Sequence, residues 1–154
     1  MSYNWVFVCW YRQSIFCSKI PTFRTIFNIK TGIPKWVNNV NSHLTPILVG
    51  EYIFTVSDDG YLYTIQKNQG NIIRINDVYK FYKEKKRNKI KPVGIKVGQD
   101  KLYLSNSDGN ILIIDLESGK ILRIEKISRN QISKPFIYNE SLFLIKNGSI
   151  IKYN

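Results

Sequence analysis

The chain has 154 residues, 44% of them hydrophobic, which is enough for one domain with its own core. A formal net charge of +12 draws it towards polyanions: nucleic acid, anionic lipid or an acidic protein surface. The earliest apolar stretch, Trp5 to Trp10, is too short to span a bilayer, and it lacks the preceding basic residue and following small-residue cleavage site of a signal peptide.

Two cysteines, Cys9 and Cys17, make neither a disulfide framework nor a CxxC metal knuckle. Val8 and Phe16 stand before them where a lipidation signal needs a small residue, so the sequence as written shows no export signal and no lipid anchor. Residues 1–25 fit the repeat poorly. They read as a poorly matching segment, either a degraded blade or sequence of another origin.

From residue 26 onwards the chain repeats itself. Each copy opens with a proline and an apolar run: Pro46 to Val49, Pro92 to Ile95, Pro135 to Tyr138. A polar turn follows, then a second apolar run (52–56, 102–104, 142–145), then a glycine turn at Asp59-Gly60, Asp108-Gly109 or Asn147-Gly148. A third run (61–65, 111–114, 149–153) comes next, and the first two copies close with Gly70 or Gly119 and a fourth run, 72–75 or 121–124. Asp-Gly and Asn-Gly favour the left-handed dihedrals of tight hairpins. Four short strands per copy therefore predict one antiparallel sheet each. Tyr61-Leu62-Tyr63-Thr64-Ile65 and Ile111-Leu112-Ile113-Ile114 do not alternate polar with apolar, as expected of strands covered on both faces. Sheets stacked face to face with a blade-sized period predict an all-β fold, a partial β-propeller of about three to four four-stranded antiparallel blades. A two-sheet sandwich shows no such period.

The spacing from Gly70 to Gly109 is longer than the others, and the surplus falls in an insertion loop at 77–91. Its stretch Lys80-Phe81-Tyr82-Lys83-Glu84-Lys85-Lys86-Arg87-Asn88-Lys89-Ile90-Lys91 carries seven basic residues and one acidic, half the formal charge. The basic residues Lys80, Lys83, Lys85, Lys86, Arg87, Lys89 and Lys91, with Phe81 and Tyr82, form a candidate interaction loop; the plain alternative is a solvated insertion.

Around the first closing turn the chain reads Asn28-Ile29-Lys30-Thr31-Gly32-Ile33-Pro34-Lys35-Trp36. This resembles the repeat of pyrroloquinoline-quinone-like propellers: Asp, two residues, Thr-Gly, three residues, Trp. Asn28, Thr31, Gly32 and Trp36 match it, and the resemblance implies that Trp36 docks between neighbouring blades. The third copy has Asp115, Ser118 and Gly119 but Arg123 at the Trp position; the second has Gln66, Gln69, Gly70 and Arg74. Those two copies are expected to lack the dock. Within the family the chain most resembles the BamB-type lipoproteins of outer-membrane β-barrel assembly. That resemblance implies a non-enzymatic protein-binding scaffold on the periplasmic side of the outer membrane, with the assembly machinery as protein partner.

No catalytic or metal site is expected. His43 is a single histidine in a turn, and no phosphate-binding glycine motif occurs. Asp58-Asp59 and Asp108 lack the spacing of a calcium loop. A remnant of a quinone-dependent dehydrogenase would need converging acidic metal ligands, so no cofactor is expected. A basic polyanion-binding module is the other alternative, although nucleic acid is not the expected partner. The last copy, opening at Pro135, has three strands, and the segment Trp5 to Tyr11, the candidate to fill the fourth place, fits the repeat poorly. Open edges and faces then predict self-association.

Overall fold

A computed structural model describes residues 15–20 and 23–28 by their backbone pairing and residues 31–153 in full. Among the described residues, fourteen strands form four antiparallel sheets in chain order. The first sheet is β1 (Ile15–Ile20), β2 (Phe23–Asn28) and β3 (Pro34–Asn38). The second is β4 (Ile47–Val49), β5 (Tyr52–Val56), β6 (Tyr61–Gln66) and β7 (Ile72–Asp77). The third is β8 (Pro92–Gly98), β9 (Lys101–Asn106), β10 (Asn110–Asp115) and β11 (Ile121–Lys126). The fourth is β12 (Phe136–Tyr138), β13 (Ser141–Lys146) and β14 (Ser149–Tyr153). Every sheet is a meander of sequence neighbours, and the all-β partial propeller is what the repeat predicts. The expected strands are present, several of them longer by one to three residues because turn-flanking polar residues also join the ladders. The segment Trp5 to Tyr11 lies outside the described residues, and β1 and part of β2 fall within the stretch 1–25.

Period-2 side-chain alternation builds the stack. On β10, Leu112 and Ile114 face the second blade and pack with Phe54, Val56, Leu62, Leu102 and Leu104. Ile111 points the other way and packs with Ile132, Leu142 and Leu144 beside the fourth blade. On β5 and β6, Ile53 and Ile65 face back towards Trp36 and Val40. A central strand thus serves two cores, which is why Ile111 to Ile114 read as one apolar run.

Each outer hairpin carries a bulge at the same place. Ile26 pairs with Trp36 and Phe27 with Pro34; Thr64 pairs with Arg74 and Ile65 with Ile72; Ile113 pairs with Arg123 and Ile114 with Ile121. Lys35, Ile73 and Leu122 are therefore the extra residues, and Trp36, Arg74 and Arg123 occupy one equivalent position. A bulge bends the strand and re-aims the side chains around it. Of the glycine turns, Asn147-Gly148 has both residues at positive φ (49° and 80°), whereas at Asp59-Gly60 and Asp108-Gly109 only the glycine does. The Asp-containing turns are longer loops that need one left-handed residue, not two.

The 77–91 stretch is more than a solvated loop. Val78, Tyr79 and Ile90 are fully buried in the core between the second and third blades. Among the described residues it holds the one helix, the single turn α1 (Glu84–Arg87).

Candidate interaction site

Blade-to-blade docking starts from the bulge. Trp36 Nε1–H donates to the Lys67 carbonyl at 2.8 Å, and Asn38 Nδ2 donates to the Gly70 carbonyl at 2.7 Å. The indole lies against Gly70, whose φ of +76° and missing Cβ let the ring approach. One blade on, Arg74 fills the same place. Its Nη2 donates to the Leu116 carbonyl at 3.2 Å and its Nη1 to the Glu117 carbonyl, while Asn76 lies against Gly119. The expectation that the second copy lacks a dock is thus corrected: a guanidinium grips the next hairpin turn through two hydrogen bonds, where an indole grips it through one hydrogen bond and packing. Arg123 pairs with Glu125 on its own strand. Thr31 and Gly32 are exposed at the first hairpin turn, and nothing among the described residues lies within 4 Å of a Cβ on Gly32. Asn28 ends β2.

The basic insertion is fastened by a polar network that the sequence did not disclose. Tyr79 is buried, packs on Gly60 and donates its hydroxyl to Asn106 Oδ1 at 2.7 Å. The Tyr82 hydroxyl donates to Asp108 Oδ2 at 2.9 Å and accepts from Asn110 Nδ2 at 2.9 Å. Burial pushes the Tyr79 phenol far up and the Tyr82 phenol up to about 12, the latter helped by Asp108 and opposed by Asn110. Both tyrosines are therefore neutral donors at physiological pH. The signal that could have found them is the apolar pair Val78-Tyr79 directly after a strand, with Ile90 closing the same excursion.

The charges of the insertion divide into two groups. Arg87 donates to Asp77 Oδ2 at 2.6 Å and to the Asp59 carbonyl at 3.2 Å, and its guanidinium stands 5.1 Å from the Tyr61 ring centroid. The Asp77 carboxylate holds the Arg87 pKa above its usual value. Lys86 lies 3.6 Å from Asp108 and 5.1 Å from the Tyr82 ring. Lys80, Lys83, Lys85, Lys89 and Lys91 are exposed, and none pairs with a carboxylate among the described residues. Phe81 is exposed, its ring packed on Tyr82 with centroids 4.1 Å apart. His43 pairs with Asp58 at the neighbouring turn, and among the described residues no group of three His, Cys, Asp or Glu could hold a metal ion.

Antiparallel meanders of three or four strands stacked through apolar faces, with a bulge-borne residue hooking the first blade to the second and the second to the third, define a partial β-propeller. The comparisons with known proteins point the same way. A family model described as outer membrane protein assembly factor BamB matches residues 6–76. The crystal structure of BamB from Moraxella catarrhalis is similar, with 14% identity and a TM-score of 0.64 over 89% of this chain and 41% of that one. The computationally designed Ika4 protein gives 13% identity and a TM-score of 0.72 over 93% of this chain and 86% of that one. Sqt1 of Saccharomyces cerevisiae gives 16% identity and a TM-score of 0.75 over 91% and 41%. The chain thus spans less than half the length of the BamB and Sqt1 chains, and these structural likenesses concern the fold. No curated protein matches the sequence. Among the described residues no helix is long and apolar enough to cross a membrane.

Proposed function

We propose that the chain is a non-enzymatic, BamB-like protein-binding scaffold that serves outer-membrane protein assembly from the periplasmic side. The observation that carries this reading is a row of exposed β-branched side chains around the rim. Val37, Ile75 and Ile124 stand at equivalent register on the outer strands of three successive blades and are 53%, 52% and 39% exposed. The bulge residues Ile73 and Leu122 add 56% and 57% exposed apolar side chains beside them. Exposed apolar side chains on sheet-edge strands suit a protein partner, which can bury them and pair with the edge. The family match to BamB supports the assembly role and the location.

A photo-crosslinking residue placed at Ile73 or Leu122 of the full protein in cells tests this. Adducts with outer-membrane assembly proteins are expected, and Ile75→Lys with Ile124→Lys should remove them without unfolding the chain. Adducts absent from a folded, expressed protein would refute the reading. The same rim offers a surface for self-association, which sedimentation at micromolar concentration measures.

A further inference from the structure

The rim leaves the most highly charged part of the molecule unexplained. The loops between blades and the turns between each blade's second and third strands gather at one end of the stack. Val78 donates its N–H to the Gly60 carbonyl, and Ile127 and Ser128 donate theirs to the Gly109 carbonyl. Tyr82 reaches Asp108 on that second turn, so the insertion and the 127–135 connection share one end. That end exposes Lys80, Lys83, Lys85, Lys89 and Lys91, extended onto the next blade by the exposed Arg129 and Lys134. Glu84 and Asp59 are the exposed acids there.

Three properties narrow the ligand. First, the lysines sit on a platform, not a tether, because Val78, Tyr79 and Ile90 anchor the insertion in the core. Second, the one arginine of the insertion is engaged by Asp77, Asp59 and Tyr61, so the insertion's own outward charges are all ammonium groups on flexible stems. Ammonium groups are point charges without the guanidinium fork that reads phosphate bidentately, and they suit an array of anions that can move laterally. Third, Phe81 exposes an apolar ring among these cations, held on Tyr82. An unpolar ring flanked by lysines matches the boundary between headgroups and acyl chains. Nucleic acid would be better served by a cluster of free arginines and several stacking platforms than by Arg129 alone beside the lysines.

We propose that this end of the propeller docks onto an anionic lipid surface, with the five lysines on headgroups and Phe81 at the acyl boundary. The inference is independent of the protein-binding rim, which lies on the outer strands and stays accessible in the docked state.

Co-sedimentation of the full chain with vesicles of phosphatidylcholine, with and without phosphatidylglycerol, tests it. Binding is expected only to the anionic vesicles and falls as salt is raised. Each lysine near the surface contributes about five-fold, so Lys83→Gln/Lys85→Gln/Lys89→Gln should weaken binding about 100-fold. These side chains are exposed and unpaired, and an unchanged thermal melt will show that the variant folds. Phe81→Ser should weaken binding while keeping the salt dependence, and Lys101→Gln/Lys120→Gln, at the other end, should leave it unchanged. Absence of binding to anionic vesicles at low salt overturns the proposal, as does wild-type affinity in the triple variant. Tighter, lysine-dependent binding of oligothymidine or polyglutamate than of vesicles also overturns it, in favour of nucleic acid or an acidic protein segment.

Discussion

Gly70→Ala tests whether the Trp36 dock is a steric fit. Gly70 has φ +76°, and a Cβ there would stand 2.6 Å from Trp36 Cγ and 2.8 Å from Cε3. Two costs then add: about 1 kcal/mol for an L-residue held in the left-handed region, and about 1–3 kcal/mol for overpacking against a ring. Gly32 is the internal control, because it has φ +69° at the equivalent turn with open space around it among the described residues. Gly32→Ala should cost the backbone part alone. Trp36→Ala should cost about 2–3 kcal/mol, since the half-buried indole and its bond to Lys67 are lost. In the Trp36→Ala background, Gly70→Ala should fall to the Gly32→Ala value, a favourable coupling of about 1–3 kcal/mol. Urea unfolding of the four variants and the parent, at constant m, measures every leg. Equal costs at Gly70 and Gly32, or additive costs for Gly70 and Trp36, would refute the docking argument.

Arg74→Ala should destabilise by about 1–2 kcal/mol, and Arg74→Lys should recover only part of this because an ammonium cannot span two carbonyls; denaturant midpoints decide it. Tyr79→Phe leaves Asn106 Oδ1 buried without its donor, so about 1–3 kcal/mol should be lost, with faster hydrogen exchange in residues 78–91. The Tyr82 phenol is raised from 10.0 to about 12, so its contribution is complete below pH 10 and lost as the pH rises through about 12; Tyr82→Phe should flatten that alkaline limb of the melting curve. The Ser118 hydroxyl and N–H hold the Asp115 carboxyl below its usual pKa, so its contribution should fade as acid titrates it, and Asp115→Asn should weaken the acid dependence.

Much of the blade plan was legible because it rests on local chemistry. Proline-led apolar runs and regularly spaced glycines mark where strands begin and turn, and the unbroken run Ile111 to Ile114 betrays a strand between two cores. The Arg74 dock was hidden because the family pattern is written in residue types. An indole and a guanidinium look unrelated in sequence, yet both are planar, both donate, and the bulge aims each at the next hairpin turn, Trp36 at the Lys67 carbonyl and Arg74 at those of Leu116 and Glu117. The insertion was hidden for a different reason. Its lysines dominate any reading by charge, while Val78, Tyr79 and Ile90, too few and too scattered to show a period, decide where it sits. The partners Asn106 and Asp108 lie on another blade, a pairing that only the tertiary fold reveals.

The uneven interfaces make the stack behave as a short one-dimensional lattice. If each blade touches only its neighbours, stability is a sum of blade terms and nearest-neighbour couplings. The coupling between the second and third blades is reinforced by the residues that the insertion contributes, whereas the cluster between the third and fourth blades is smaller. The fourth blade should then open before the second and third separate. The excursion that carries the surface lysines is also the clamp on the more persistent unit, so the lysines stay in place while the fourth blade fluctuates.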